Sequence, residues 1–328
     1  LQWRVVEVVE RREAKPGRAV ELLAHLTCFV PDALAGLHGR MLDADVLSSF
    51  FYPHVLQHGI MFRSADPEAR DRLSMLAVQS PSRALGDHAL KSLAWVDDDE
   101  VPRLCSRFDE HPPPWASPRF SAAEYALWAG WLLDSGDGRP LLLSAGCRRL
   151  ERGAETGCPV VVISRTQQEC GRCSGPLTAL LELDLHDERL GFLGLPGGCL
   201  RVLTCEDCVQ SSTVYAEVDL AGGARWMEES PQPHVVPSGM SYLPERQLGR
   251  PERRTPFEAH AFANHMSQVG GQAGWIQNPD YTQCPRCRRL MPFLGQVHLM
   301  SEFESDEGMI YAFFDPGCGV VATLFQQT

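Results

Sequence analysis

The chain has 328 residues, 44% of them hydrophobic, which is about two domains' worth with enough apolar matter for ordinary cores, so disorder along the whole chain is excluded. Asp and Glu number 42 against 30 Lys and Arg, a formal net charge of -12, and that field opposes generic binding to a phosphate backbone. No apolar run approaches the roughly 18 to 20 residues of a membrane-spanning helix, and the charged stretch 1–14 has no signal-peptide core, so a soluble, cytoplasmic protein is expected.

Residues 1–110 are expected to form a helical domain. Ala19, Leu22, Leu23 and Leu26 recur at helical spacing, as do Leu73, Leu76 and Ala77. Pro31, Pro53, Pro67 and Pro81 cut this pattern into short helices. Ser82–Leu93, then Ala94, Trp95 and Val96, then the acidic run Asp97–Glu100 before another apolar helix, read as a helical hairpin of an α-solenoid. No clean repeat period is visible, and an irregular helical domain fits the same residues. Acids at a helix start complement its dipole; a cation or a basic partner is the alternative use of the run.

His111–Pro118 contains Pro112, Pro113, Pro114 and Pro118 and predicts an extended stretch that opens a linker over 111–140, with one helix over Ala122–Leu133. From about 141 to 328 the period changes. Leu141–Leu143, Val160–Ile163, Leu180–Leu185, Leu200–Thr204 and Val214–Val218 read as short strands, and 231–256 as a long connection. The fold class expected is α+β, helical first and β-rich second.

Of the 12 cysteines, Cys170 with Cys173, Cys205 with Cys208 and Cys284 with Cys287 form C-x-x-C pairs, which in a chain without a secretion signal favours metal over disulfides. The β-rich part aligns on itself as two copies, about 160–219 and 268–328. Cys170 and Cys173 fall on Cys284 and Cys287. Without a gap, Gly198, Leu200, Leu203, Cys205, Cys208, Thr213 and Tyr215 fall on Gly308, Ile310, Phe313, Asp315, Cys318, Thr323 and Phe325. In the first copy, Cys170, Cys173, Cys205 and Cys208 offer four sulfurs to one tetrahedral ion, with zinc the default. In the second, Cys284, Cys287 and Cys318 need a fourth ligand, either the Asp315 carboxylate or His298. One or two zinc ions are therefore expected. Redox use of the pairs is the rival, but it calls for a single pair at a helix start. Cys28, Cys105, Cys147, Cys158 and Cys199 read as small core residues.

Nucleophile elbow, phosphate-binding glycine loop, dinucleotide fingerprint and H-E-x-x-H are all missing, so no catalytic residue is named. Glu258, His260 and His265 are expected to be surface residues. Arg286, Arg288 and Arg289, with Arg246, Arg250, Arg253 and Arg254 before them, form a local basic patch. It lacks interleaved aromatics for nucleic acid and reads as solvated or protein-facing.

Gly270, Gly271, then Trp275, Ile276, Gln277, then Cys284–Cys287, then Phe293–Gln296 and Gly308–Phe313 resemble the YwqG-like family of bacterial proteins, and the plan is similar to that of programmed-cell-death-2-like proteins. The resemblance covers about 140–328. It implies a β-rich, pseudo-twofold fold and a binding role of the immunity or chaperone kind. The first copy lacks the Gly-Gly and Trp-Ile-Gln motif, and Asp315 departs from the cysteine pattern. The N-terminal helices loosely resemble HEAT-type repeats. The function expected is non-catalytic recognition of another protein with zinc as a structural ion. The alternatives are an enzyme with a cleft between the two β repeats and a zinc-ribbon nucleic-acid binder.

Overall fold

Caps and prolines set the helices of the first unit. Asp66 accepts from the Ala69 amide at 2.8 Å ahead of Pro67, Ser82 from Leu85 at 3.2 Å, and Ser121 from Ala123 at 3.2 Å, each satisfying an orphan donor of a first turn. The computed structural model describes residues 25–43, 58–80, 82–117, 120–133, 139–152, 157–230, 246–248, 255–261, 266–300 and 306–327. The apolar positions before residue 25, Pro53, Pro81, His265, Arg250, Arg253 and Arg254 lie outside them. The chain divides into two units, 1–141 and 142–328, helical and largely antiparallel β respectively, an α+β protein.

The first unit contains helices α1 (His38–Asp43), α2 (Pro67–Gln79), α3 (Arg83–Trp95), α4 (Val101–Glu110) and α5 (Ala122–Trp128). Leu73 and Ala77 of α2 and Ala89, Leu90, Leu93 and Ala94 of α3 are buried. The proline-rich stretch after α4 is tied to this core. The Trp115 indole donates to the Ala77 carbonyl at 2.6 Å, and a Cβ on Gly86 would sit 2.2 Å from that ring. Trp131, fully buried, donates to the Ala94 carbonyl at 2.9 Å, and Arg139 stacks on its ring while donating to Ala94 and Val96. The acidic run is a socket for arginines: Arg63 and Arg139 reach Asp97 at 3.7 and 3.4 Å, and Arg70 reaches Asp98 at 2.7 Å.

In the second unit an eight-stranded antiparallel sheet has the order β6-β5-β11-β10-β9-β8-β1-β7, and a three-stranded sheet the order β2-β3-β4. The strands are β1 (Cys147–Arg152), β2 (Val160–Glu169), β3 (Pro176–Asp184), β4 (Cys199–Thr204), β5 (Val214–Val218), β6 (Ala224–Trp226), β7 (Arg246–Leu248), β8 (Gln268–Gly270), β9 (Phe293–Met300), β10 (Asp306–Asp315) and β11 (Val320–Gln326). Strand alternation sorts the side chains. Ile310, Ala312 and Phe314 of β10 and Val214, Ala216 and Val218 of β5 share one core with Leu181, Leu183, Leu200 and Val202 of the small sheet. Tyr311 and Phe313 instead meet Trp275, whose ring stacks on Tyr311 at 4.5 Å and lies 6.2 Å from Phe313.

The coil after β8 is fastened across that second face by side chains. Gln296 accepts from the Gly274 amide and donates to the Met266 carbonyl, both at 2.8 Å. Tyr311 donates to the Gly274 carbonyl at 3.0 Å and accepts from Ile276 at 3.1 Å. Gln326 accepts from Gln277 at 3.1 Å and donates to the Asn278 carbonyl at 2.8 Å. The Gly-Gly turn is needed at its start: Gly270 and Gly271 have φ of 72° and 71°, and a Cβ on either would lie 2.7 or 2.5 Å from a carbonyl oxygen. Trp275, with no exposed surface, is thus a core residue of this motif.

Candidate metal centres

Each centre starts in a tight cysteine turn. After β2, the Cys170 amide donates to the Gly175 carbonyl at 2.8 Å and the Ser174 amide to the Cys170 carbonyl at 2.9 Å. After the coil, Cys284 and Arg289, then Arg288 and Cys284, repeat the same two bonds at 2.9 Å each. The residue closing each turn is left-handed, Ser174 at φ 60° and Arg288 at φ 63°. In the first turn, amides point at the sulfurs: Arg172 donates to Cys170 Sγ and Gly175 to Cys173 Sγ, both at 3.4 Å.

The partners come from different local structures. Cys205 caps the four-residue helix α6 (Glu206–Val209), and one turn later Cys208 lies on the same side. Asp315 ends β10, and Cys318 occupies the turn into β11. The structure brings Cys170, Cys173, Cys205 and Cys208 together as one group, and Cys284, Cys287, Asp315 and Cys318 as another, the ligand atoms of each within 4.8 Å of one another. Both groups could hold a metal ion. His298 is not in the second group; it sits in β9, where its amide donates to Ser267 Oγ at 2.8 Å.

In the first group Cys170 Sγ lies 3.8 Å from Cys208 Sγ, and Cys173 Sγ 3.4 Å from Cys205 Sγ. A tetrahedron with metal–sulfur bonds of about 2.3 Å has sulfurs about 3.8 Å apart, whereas a disulfide requires about 2.05 Å. None of the 12 cysteines is in a disulfide. As thiols, two members resist ionisation, burial pushing Cys208 up to about 12 and Cys205 further, while at Cys170 burial is outweighed by the hydrogen bonds that its sulfur receives, which lower the pKa. A dication among the sulfurs reverses that preference, since the thiolates are then its ligands.

In the second group, Asp315 Oδ2 accepts from the Cys287 thiol at 3.0 Å, while Oδ1 accepts from the amides of Gly317 at 3.0 Å and Cys318 at 3.2 Å. Burial raises the Asp315 pKa, but the surrounding thiol and amide donors outweigh it and hold it at about 2. One oxygen is therefore fixed by backbone, and the other faces the sulfurs.

The surroundings of the two turns differ. The Trp226 ring lies over Gly171, where a Cβ would approach it to 2.5 Å, and Arg172, 5.7 Å above that ring, donates to the carbonyls of Glu228 and Ser230. At the second turn Arg286 donates to the Cys318 carbonyl and to Glu217 of β5, both at 2.7 Å, and Arg289 lies against the Cys287 sulfur. Trp226, Glu217, Glu228 and Ser230 carried no sequence signal of their own; they reach the cysteine turns from segments distant in the chain.

Two residues outside the centres fall elsewhere than expected. Cys199 is exposed, because it is the first residue of β4 and points off the core face, whereas Cys158, partly buried, packs against the core. His260, expected at the surface, is buried beside Phe257 at 6.4 Å. Burial lowers its pKa to about 3 and raises that of Glu258 to about 7.

The chain is similar to YpfL of Salmonella typhimurium. The two are 33% identical over 282 residues, which span 83% of this chain and 66% of YpfL, itself described only as an uncharacterised protein. The chain therefore spans just under two thirds of that relative's length. No protein-family model matches the chain, and no solved structure matches it. Among the described residues, no helix is long and apolar enough to cross a membrane.

Proposed function

We propose that this is a cytoplasmic, non-catalytic protein-binding protein of YwqG-like plan, in which both centres hold structural zinc. The observation that carries the reading is the closure of both ligand groups: four donors converge in each, which fills the coordination of a structural zinc and leaves no position for an activated water. Sulfur-rich donor sets favour zinc over the hard cations. Cys170, Cys173, Cys205 and Cys208 would hold one ion and Cys284, Cys287, Asp315 and Cys318 the other, and the ion would supply cross-linking of the fold. We read the two centres as diverged copies of one unit, supported by their matching turns and by the similar strand that follows each.

Two arginines of the second turn are already engaged within the chain, Arg286 by Glu217 and Arg289 by Cys287, which supports a protein-binding role over a nucleic-acid one. Elemental analysis of the purified chain is the test of the metal reading, with two zinc ions per chain expected. Metal-free protein with fast-reacting thiols would overturn it in favour of C-x-x-C redox chemistry. For the binding role, the zinc-loaded chain is expected to co-purify at fixed stoichiometry with one protein from its own cells, and to lose it in Cys205→Ser.

A further inference from the structure

The two centres have different tasks within the second unit. The first bridges a break in the backbone pairing. β4 belongs to the small sheet and β5 to the large one, so Cys205 and Cys208 lie on the segment that crosses between sheets. The ends of that crossing pair with different neighbours, β4 with β3 and β5 with β11. Beside single bonds such as that of the Cys199 amide to the Leu220 carbonyl at 2.7 Å and that between the Thr204 and Thr323 hydroxyls at 2.8 Å, the sulfur group ties the crossing segment to the turn after β2. Three of its cysteines are buried, and Trp226 covers the turn.

The second centre sits on structure that is already closed. Asp315 and Cys318 lie at the tip of the β10–β11 hairpin, whose pairing runs without a break from Met309↔Gln326 to Asp315↔Val320. Asp315 Oδ1 and the amides of Gly317 and Cys318 fix the turn with no metal involved. Cys287 and Cys318 are only partly buried. One sulfur is replaced by a single available carboxylate oxygen, a harder and less common donor for zinc.

Resting on the zinc reading above, we propose that the centre at Cys284, Cys287, Asp315 and Cys318 is an exchangeable zinc site. It gains and loses its ion while the β unit stays folded, whereas the four-cysteine centre is a permanent clamp. Asp315 is the residue that sets this difference. The ligand class is a thiophilic divalent cation, and occupancy of the second centre becomes a response to free zinc.

The test uses the full chain loaded with zinc. Graded amounts of a chelator are added, and zinc release, circular dichroism and the sites of thiol alkylation, located by peptide mass, are read together. Release in two phases is expected. Cys284, Cys287 and Cys318 become alkylated in the first with the β signal intact; Cys170, Cys173, Cys205 and Cys208 follow in the second as that signal is lost. Asp315→Cys is expected to slow the first phase at least about tenfold, as even an outer partner of a ligand is worth about 10- to 100-fold in affinity. One phase exposing all seven cysteines, release from the four-cysteine centre first, or an unchanged first phase in Asp315→Cys would overturn the proposal. A chain isolated with one zinc supports it if added zinc protects Cys284, Cys287 and Cys318, and overturns it if none is taken up. A chain with no zinc at all defeats the structural-zinc reading itself, an outcome distinct from the others.

Discussion

A left-handed backbone at a residue with a side chain is costly, and the two cysteine turns accept that cost at Ser174 and Arg288. The αL conformation costs a non-glycine residue about 1–2 kcal/mol, and glycine gives back about 0.5–1 kcal/mol through its extra freedom when unfolded. Arg288→Gly is therefore expected to stabilise the second unit by about 0.5–1 kcal/mol, read as a shift of the denaturant midpoint at unchanged slope. Trp275 is the opposite case. Its ring is enclosed by Tyr311, Tyr281 and Phe313, so Trp275→Ala is expected to cost about 3–5 kcal/mol in the same measurement. The pair near α7 (Glu258–Ala261) couples stability to pH with opposite signs. His260 has a folded pKa of about 3 against an ordinary 6.5. Only the unfolded chain takes up its proton in between, so stability present above pH 6.5 is lost as pH falls towards 3. Glu258 has a folded pKa of about 7 against 4.5, so stability present below pH 4.5 is lost as pH rises through 7. Urea unfolding across pH 4–8 should show His260→Gln flattening the acid side of the profile and Glu258→Gln the neutral side.

Among the elements, what was legible in the sequence was what is local. A C-x-x-C pair closes its turn with bonds inside six residues, so Cys170 with Cys173 and Cys284 with Cys287 were readable from spacing. The pairing of the two halves of each centre was also readable, because the self-alignment places Asp315 where Cys205 stands. Partnership across the sheets was not. The Trp226 ring over Gly171 and the Glu217 contact with Arg286 depend on β6 pairing with β5 and β5 with β11, a register that no stretch of residues encodes by itself. His260 was misplaced for a similar reason: a short polar stretch has no periodicity to report that distant elements cover it. Gly171 offers a check on one such contact. Gly171→Ala would drive a Cβ into the Trp226 ring, and the expected outcome is a shift in Trp226 emission, measured against Trp226→Phe as the reference.

For the whole molecule, zinc at the four-cysteine centre, as proposed, would be the heaviest entry in the stability of the second unit. A structural zinc ion contributes on the order of 10 kcal/mol to folding, comparable to the full stability of an ordinary domain of about 5–15 kcal/mol. Cys205→Ser is thus expected to remove the cooperative unfolding transition of residues 142–328, with Cys284→Ser leaving a weakened one, both seen by calorimetry. The strand order carries a further consequence. β5 and β6 come from the first half of the unit yet extend the sheet of β9, β10 and β11, and β1 is enclosed by β8 and β7 from the second half. The halves are interleaved like clasped fingers. A chain cut after residue 230 would yield two pieces with open strand edges, each aggregating when made alone and recovering solubility when both are made in the same cell, so the unit lends itself to a split reporter that reassembles only when its pieces meet.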